Sequence, residues 1–560
     1  MHQRTKKWLK VAVLSSLVAS AVMVGDTANA IALIPGNVDS GEQSVVSGGY
    51  ENTASGRYSS ITGGGPAMDQ FGNIIDGTGN KASGNYSTIS GGANNQASGT
   101  CSSVSGGSNN RATGLYASIL GGGITFGSDD DGGMTAGNTA AGDSSTIAGG
   151  ISNTAYAAFS SVTGGAFNTA GNAKGDNPSW LNAMMNDDGM GQSVSGGEYN
   201  TAYGAYSSVS GGDNNYAKGK YSSISGGSEN KAYGDNSSVS GGAQNSASGP
   251  STSVSGGWNN VASGSRTSIS GGYNNRASGS DSSVTGGSEN SASGFNTVVS
   301  GGGKNNTSGY NSTISGGYQN TATKDYAAIS GGQGNYASGR YSFLAGGKNN
   351  VASGEGAAVL GGQSGAATGK GSTMVGGASN TVVSGTNSVS LGGGSTGTSA
   401  TGAVAIGSGS VVSADLTKAS GQAMAIGYQA TASKAGTIAF GHDAGDVSGY
   451  TITWEQRTDK DDFGNINKNA DGTTNDYTKP PKEIKAATYD SAYYNRLVKV
   501  ADGVEEHDAV TLGQLQKAIK TSVGETTADG NYIKKGNAVS TNLGRSEEHT
   551  SELQSPCNLV

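Results

Sequence analysis

The chain holds 2 cysteines, 7 prolines and 4 histidines in 560 residues. Two cysteines cannot make a disulfide scaffold, and so little proline excludes collagen-like and polyproline segments. Charged residues make up only 13% of the chain, which argues against a polymer held open by self-repulsion. The formal net charge of -8 speaks against a nucleic-acid partner. Aromatic residues are also scarce at 6%, but 24 of them are tyrosine. What abounds is glycine, 99 residues, more than twice its usual share. Two classes fit that composition: a flexible Gly/Ser polymer, or a solenoid whose tight corners consume glycine. The order of the residues decides between them.

The two ends stand apart. Residues 1–30 carry Arg4, Lys6, Lys7 and Lys10, an apolar run from Val11 to Val24, and Ala28-Asn29-Ala30, which reads as a secretory signal cleaved after Ala30. No later run approaches the ~18 apolar residues of a spanning helix. At the other end, the stretch beginning Arg545-Ser546-Glu547-Glu548-His549-Thr550 resembles the translation of a sequencing-library adapter. Residues 545–560 are therefore expected to be foreign to the protein, with the reading frame cut near Gly544.

Between them an apolar residue recurs every fifteen positions: Val194, Val209, Ile224, Val239, Val254, Ile269, Val284, Val299, Ile314, Ile329, Leu344, Val359 and Met374. Each is followed two and three places on by Gly-Gly, and six places on by Asn, with Gly365 the exception. A flexible linker has no reason to keep such phase. Val46, Ile61, Ile89, Val104, Ile119, Ile147 and Val162 share the pattern, with insertions near 65–79, 122–142 and 171–190 expected as surface loops. Residues 31–45 lead in.

Within one unit, Tyr221 to Gly234, two short strands are expected between glycine corners. Alternation puts Ser222 and Ile224 on one face and Ser223 and Ser225 on the other, while Asn230 and Ala232 share a face. Gly226, Gly227 and Gly234 are expected at positive φ or at close approaches. Stacked coils would form ladders of Val/Ile, Ala and Asn. One large aliphatic side chain and one alanine make a thin core for fifteen ordered residues, so the repeats are expected to need help from oligomerisation.

After 385 the units change. Asn387-Ser388-Val389-Ser390-Leu391-Gly392, Ala403-Val404-Ala405-Ile406-Gly407, Met424-Ala425-Ile426-Gly427 and Ile438-Ala439-Phe440-Gly441 carry two apolar positions each. These units, and the Ser-Val-Ser-Gly-Gly coils before them, resemble the head repeats of trimeric autotransporter adhesins over about 46–441. The stretch from Arg496 to Leu515 resembles the neck of the same family. Read alone, Leu512, Leu515 and Ile519 have the 3–4 spacing of a short helical seam.

The resemblance implies an all-β, left-handed parallel β-roll of 15-residue repeats in a homotrimer. It also implies a neck at 496–515 and the α-helical start of a coiled-coil stalk at 516–544. Neck and oligomerisation roles fall to Val498, Val500, Val504, Asp508, Ala509, Val510, Leu512 and Leu515. Residues 442–495, with Trp454, Asp459, Asp461, Asp462 and Pro480-Pro481, match neither head nor neck and are expected as an irregular insertion.

Chemistry has few places to sit. Only His442 and His507 remain once the ends are removed, and Cys101 is the only cysteine in residues 31–544, which leaves no triad or Cys/His metal cluster. His507 falls in the neck motif and Cys101 reads as a small filler or free thiol. Asp129-Asp130-Asp131 reads as a solvated acidic loop or, less simply, a hard-cation ligand set. The tyrosines at 203, 206, 216, 221, 233, 273, 310, 318, 326, 336 and 341 vary around the fixed frame, suited to protein or glycan contact or to packing between coils.

No enzyme, cofactor or metal is expected. A hexapeptide-repeat acyltransferase would need a six-residue period and a catalytic histidine that are missing. The resemblance implies a bacterial cell-surface adhesin, held at the outer membrane by a C-terminal anchor missing from this chain. Such a head would bind host matrix, host cell-surface protein or glycan, or other bacteria, with Asn387-Ser388-Val389 similar to an element of the family's collagen-binding heads. A structural surface or biofilm-matrix spacer that binds nothing is the alternative.

Overall fold

The computed structural model describes residues 36–66, 78–126, 134–172, 189–377, 381–397, 400–414, 422–453 and 483–494. Every regular element among them is a β-strand. The fold is an all-β parallel solenoid. It divides into two compact units, Met1–Tyr326 and Ala327–Val560.

In the first unit each fifteen-residue coil carries two strands of two residues, such as Ser223–Ile224 and Lys231–Ala232. Each strand pairs in parallel only with its equivalents one coil away: Ile224 sits beside Val209 and Val239, and Ala232 beside Ala217 and Ala247. A single bridging residue per coil, as at Ser228 beside Asp213 and Ala243, adds a third narrow ladder. Ile224 and Ala232 are at most 1% exposed, as are their counterparts throughout the unit from Ile61 and Ala54 onward. Burying such an isoleucine stabilises by about 1.5–3 kcal/mol. Ser222, Ile224, Asn230 and Ala232 face inward, while Ser223 is half-buried and Ser225 exposed, as alternation required.

Three residues per coil take a left-handed backbone: Tyr221 (φ 56), Gly227 (φ 90) and Glu229 (φ 56), with the same three places repeated in the neighbouring coils. Two are not glycine. Asparagine recurs there, as at Asn236, Asn214 and Asn259, because its short amide tolerates this region better than most side chains.

Glycine is required at two points: Gly227, where a left-handed φ and a close approach coincide, and Gly234, where the close approach acts alone. A Cβ on Gly227 would lie 2.1 Å from the Gly242 carbonyl oxygen, and one on Gly234 only 1.8 Å from that of Gly249. Gly226 differs from both. A Cβ there meets nothing within 4 Å and its φ lies outside the left-handed region, so the expectation that all three glycines are structurally demanded holds for Gly227 and Gly234 only. Gly226→Ala should therefore change stability by less than about 1 kcal/mol, and a slight gain from a stiffer unfolded chain is the favoured direction. A loss above about 2 kcal/mol in denaturant unfolding would show that the first glycine has a conformational role.

The asparagine of each coil explains how the corner is satisfied. Asn230 donates from Nδ2 to the Gly226 oxygen at 3.0 Å and to the Gly242 oxygen of the next coil at 2.9 Å. Its Oδ1 accepts the backbone N–H of Asn245 at 3.0 Å. Each buried amide thus bonds three backbone groups, of which the next coil's glycine oxygen also accepts a backbone N–H, as Gly242 does from Ser228 at 3.0 Å. The column runs from Asn37 to Asn320 in the first unit. In the second it runs from Asn335 to Asn350, whose Oδ1 accepts the N–H of Gly365. There a Cβ would lie 2.5 Å from Met374 Cε, so the missing amide is matched by a larger core side chain in the next coil.

Beyond Met374 the inward place of the first strand holds Ser390, Ala405 and Ala425, paired in register with Met374 and with one another. Interior volume moves to the second strand, where Val383 and Val412 are fully buried.

The three insertions leave the coils at two corners. The hairpin Ile124–Phe126 with Met134–Ala136 is antiparallel and projects between Gly123 and Gly137. Residues 67–77, 127–133 and 173–188 lie outside the described residues. The segment expected to be irregular after 441 contains regular structure: Val447–Thr453 and Glu483–Thr488 form an antiparallel hairpin, and Gly441–His442 pairs with Tyr493–Tyr494. Its strands alternate too weakly to be read from sequence. The neck residues Val498, Val500, Val504, Asp508, Ala509, Val510, Leu512 and Leu515, and the stalk start, lie outside the described residues.

Candidate binding surface

Parallel stacking places residue i beside residue i+15, so side chains at the left-handed corners form rows along the coils. Tyr206 and Tyr221 stack with ring centroids 5.2 Å apart and planes 6° apart. Tyr58 and Tyr86 stack at 4.9 Å on the same corner of earlier coils. Phe167 and Tyr199 stack at 4.9 Å on the other corner. These separations reflect the strand spacing of about 4.8 Å, which matches offset aromatic stacking. The rings are both packed and exposed: Tyr86 is 53% and Tyr221 49% accessible.

Cations cap several rows. The Lys220 ammonium lies 5.1 Å from the Tyr221 centroid, and the Arg57 and Arg340 guanidiniums lie 5.0 and 4.8 Å from those of Tyr58 and Tyr341. Where aromatics give way, charge pairs obey the same i, i+15 rule. Arg266 holds Asp281 through Nε–Oδ1 at 2.6 Å and a second bond at 2.7 Å. That hydrogen bonding keeps the Asp281 carboxyl below its ordinary range. Lys304 pairs with Glu289 and Lys370 with Glu355 in the same manner.

A third group lies on the flat side. Tyr203, Tyr216 and Tyr233 form a chain of tilted and edge contacts at 6.1 and 5.8 Å. Burial there pushes the Tyr216 phenol up, with Tyr203 and Tyr233 adding to it. Back at the corner, Phe295 and Tyr310 stack at 5.3 Å and Tyr326 meets Tyr310 edge-on at 5.7 Å, while Tyr336 is buried against Val351 and Ala366. The packing foreseen for the tyrosines is present, and the same rings remain partly exposed to solvent.

The reactive residues sit elsewhere. Cys101 is a free thiol at a left-handed corner, φ 57, half-buried. His442 is 4% exposed, with Nδ1 at 2.8 Å from the Gln429 carbonyl oxygen and Nε2 at 2.9 Å from that of Ser491. Its ring stacks on Tyr489 at 3.6 Å. Burial first, then Tyr428 and Asp446, push the Tyr489 phenol up, so it stays protonated and donates to the Gly409 oxygen at 3.3 Å. His442 thus ties the returning segment to the coil by backbone contacts. Asp129–Asp131 and His507 lie outside the described residues. Among the described residues no group of three His, Cys, Asp or Glu side chains is placed to hold a metal ion.

Neither a protein-family model nor a curated protein matches the chain. The rows, their spacing and their exposure are what this surface offers. Sequence reasoning noted the tyrosines but not their pairing or the cations above them. The signal was available in the i, i+15 register, which sets Lys220-Tyr221 one coil after Ala205-Tyr206.

Proposed function

We propose that this chain is the exported passenger region of a bacterial trimeric autotransporter adhesin. Three copies form a left-handed β-roll head. A neck at Val498, Val500, Val504, Asp508, Ala509, Val510, Leu512 and Leu515 joins it to a coiled-coil stalk. The head is displayed at the outer membrane and binds host matrix, host cell-surface molecules or other bacteria. The observation that carries this reading is the array of exposed aromatic and charged rows repeated at one coil step, with the aromatics held as rigid stacks. Rigid amphipathic rings lose little conformational freedom on contact. Repetition supplies many weak sites on one body, so avidity can exceed single-site affinity by about 10²–10⁴.

The test is sedimentation equilibrium of the mature chain, residues 31–544, followed by binding to immobilised matrix proteins, cultured cells and bacteria. A trimer whose binding falls at least tenfold on Tyr206→Ala with Tyr221→Ala, at unchanged circular dichroism, supports the reading. A trimer that adheres to none of these surfaces is instead a structural spacer.

A further inference from the structure

The outward places of the second strand carry charge of one sign. Between Thr53 and Thr323 each coil offers two such places, as at Tyr216 and Lys218 or at Lys231 and Tyr233. Among the described residues these places hold Lys81, Arg111, Lys218, Lys231 and Arg276, all exposed, and no Asp or Glu. That is the reverse of the chain as a whole, whose net charge is -8. Acids of the same coils lie on other rows: Asp281 at one left-handed corner, Glu229 and Glu289 at the other, Glu198 and Asp213 on the narrow third ladder. The corner cations are paired there, Arg57 with Glu42, Arg266 with Asp281 and Lys304 with Glu289. Lys218 and Lys231 have no ion-pair partner among the described residues.

Register brings these two lysines into the tyrosine group of the flat side. Tyr216 pairs with Lys231, and Lys218 falls in the row between Tyr203 and Tyr233. Rings and ammonium groups thus alternate on a grid of about 4.8 by 6.7 Å. The rings are held in place, Tyr216 by contact with both others and Tyr203 by the Asn172 amide, which donates to its hydroxyl. On the far side the next coil sets only Ser246 and Ser248 beside the group, so the face stays open along the coils.

We propose that the second-strand face at Tyr203, Tyr216, Lys218, Lys231 and Tyr233 binds an acidic polysaccharide, a chain of pyranose rings bearing carboxylate or sulfate. This rests on the adhesin reading above and names the chemistry that one face of the head takes. Unpaired ammonium groups draw anions here rather than to the corners, where acids already neutralise the cations. Tyrosine offers an apolar ring with a polar tip, which suits the mixed C–H and hydroxyl surface of a sugar, at little cost in conformational freedom. A polymer fits better than a small anion, because Arg276 continues the basic row three coils beyond Lys231, at about 14 Å.

The test measures binding of the mature chain to four immobilised polymers: a polyuronate, dextran sulfate, neutral dextran and polyglutamate. The expected result is binding to the polyuronate or to dextran sulfate at least about tenfold tighter than to the other two, weakening as salt is added. Lys218→Gln with Lys231→Gln should lower that binding by about tenfold, with circular dichroism unchanged because both side chains are exposed. Arg266→Gln with Lys304→Gln, which removes the same charge from the corners, should change it by less than about twofold. Equal losses in the two pairs, or polyglutamate bound as tightly as the acidic polysaccharides, would mean that charge alone is read and overturns the inference. No binding to either acidic polysaccharide overturns it as well. These outcomes leave the adhesin reading standing, since that is decided by the trimer mass and by adhesion to matrix proteins, cells and bacteria.

Discussion

Asn245→Ala should lower stability by roughly 2–4 kcal/mol, although the side chain removed is small and polar. Its amide is fully buried and makes three bonds to backbone groups. Nδ2 donates to the Gly241 oxygen at 3.0 Å and to the Gly257 oxygen at 2.9 Å, while Oδ1 accepts the N–H of Asn260 at 3.0 Å. The Asn260 amide also donates to it at 3.1 Å. Truncation removes the described donor to the Gly241 oxygen and the acceptor of the buried Asn260 N–H, while the Gly257 oxygen keeps the Ala243 N–H at 2.9 Å. Asn245→Asp should be at least as damaging, since a carboxylate keeps the acceptor but loses both donors and buries a charge.

The control is adjacent. Gln244→Ala removes an exposed side chain whose described bond is to Glu229, and should cost less than about 0.5 kcal/mol. Denaturant unfolding of the two variants checks this; equal midpoints would mean that the asparagine column is ornamental to stability. Coils contact only their neighbours, so the damage should be local and should appear as lost amide protection around 231–260 before global unfolding.

Gly234→Ala is the second large effect, at about 3 kcal/mol or more. Its φ is not left-handed, so backbone freedom does not account for the glycine. The obstacle is the next coil, whose Gly249 oxygen and carbonyl carbon would lie 1.8 and 2.4 Å from the new Cβ. Neither side can retreat, because Tyr233 and Gly234 both donate to the Ala247 oxygen, at 2.8 and 3.2 Å. At Ala157, which holds the equivalent place, the next coil reaches Gly171 at φ 97 and the insertion at 173–188 comes directly after it. A side chain is accommodated there because the following corner is different. Gly234→Ala with a thermal midpoint unchanged within about a degree would refute the close-approach explanation.

Much of this protein is written in its period. Fifteen residues per coil, the inward Val/Ile, Ala and Asn, and the outward serines all result from alternation and phase. They depend on which face of a short strand a residue occupies, and that is a property local to the chain. The class of the fold was legible for the same reason, since a strict period in glycine and aliphatic positions leaves a stack of coils as the simplest way to bury them.

What the period could not reveal depends on distance to the neighbouring coil. Gly226, Gly227 and Gly234 look alike in sequence, yet one faces open space, one needs a left-handed φ and one is pressed by a carbonyl. The pairing of Tyr206 with Tyr221, the three bonds of each buried asparagine, the hairpin at 447–488 and the tie from His442 to Ser491 arise only when the chain has closed on itself. The move of interior volume after Met374 was present as letters, but alternation alone does not say which side of a strand is the inside. Pairing of Ser390 with Met374, and of Ala405 with Ser390, decided it, because register in a parallel stack carries the inward place of one coil to the next.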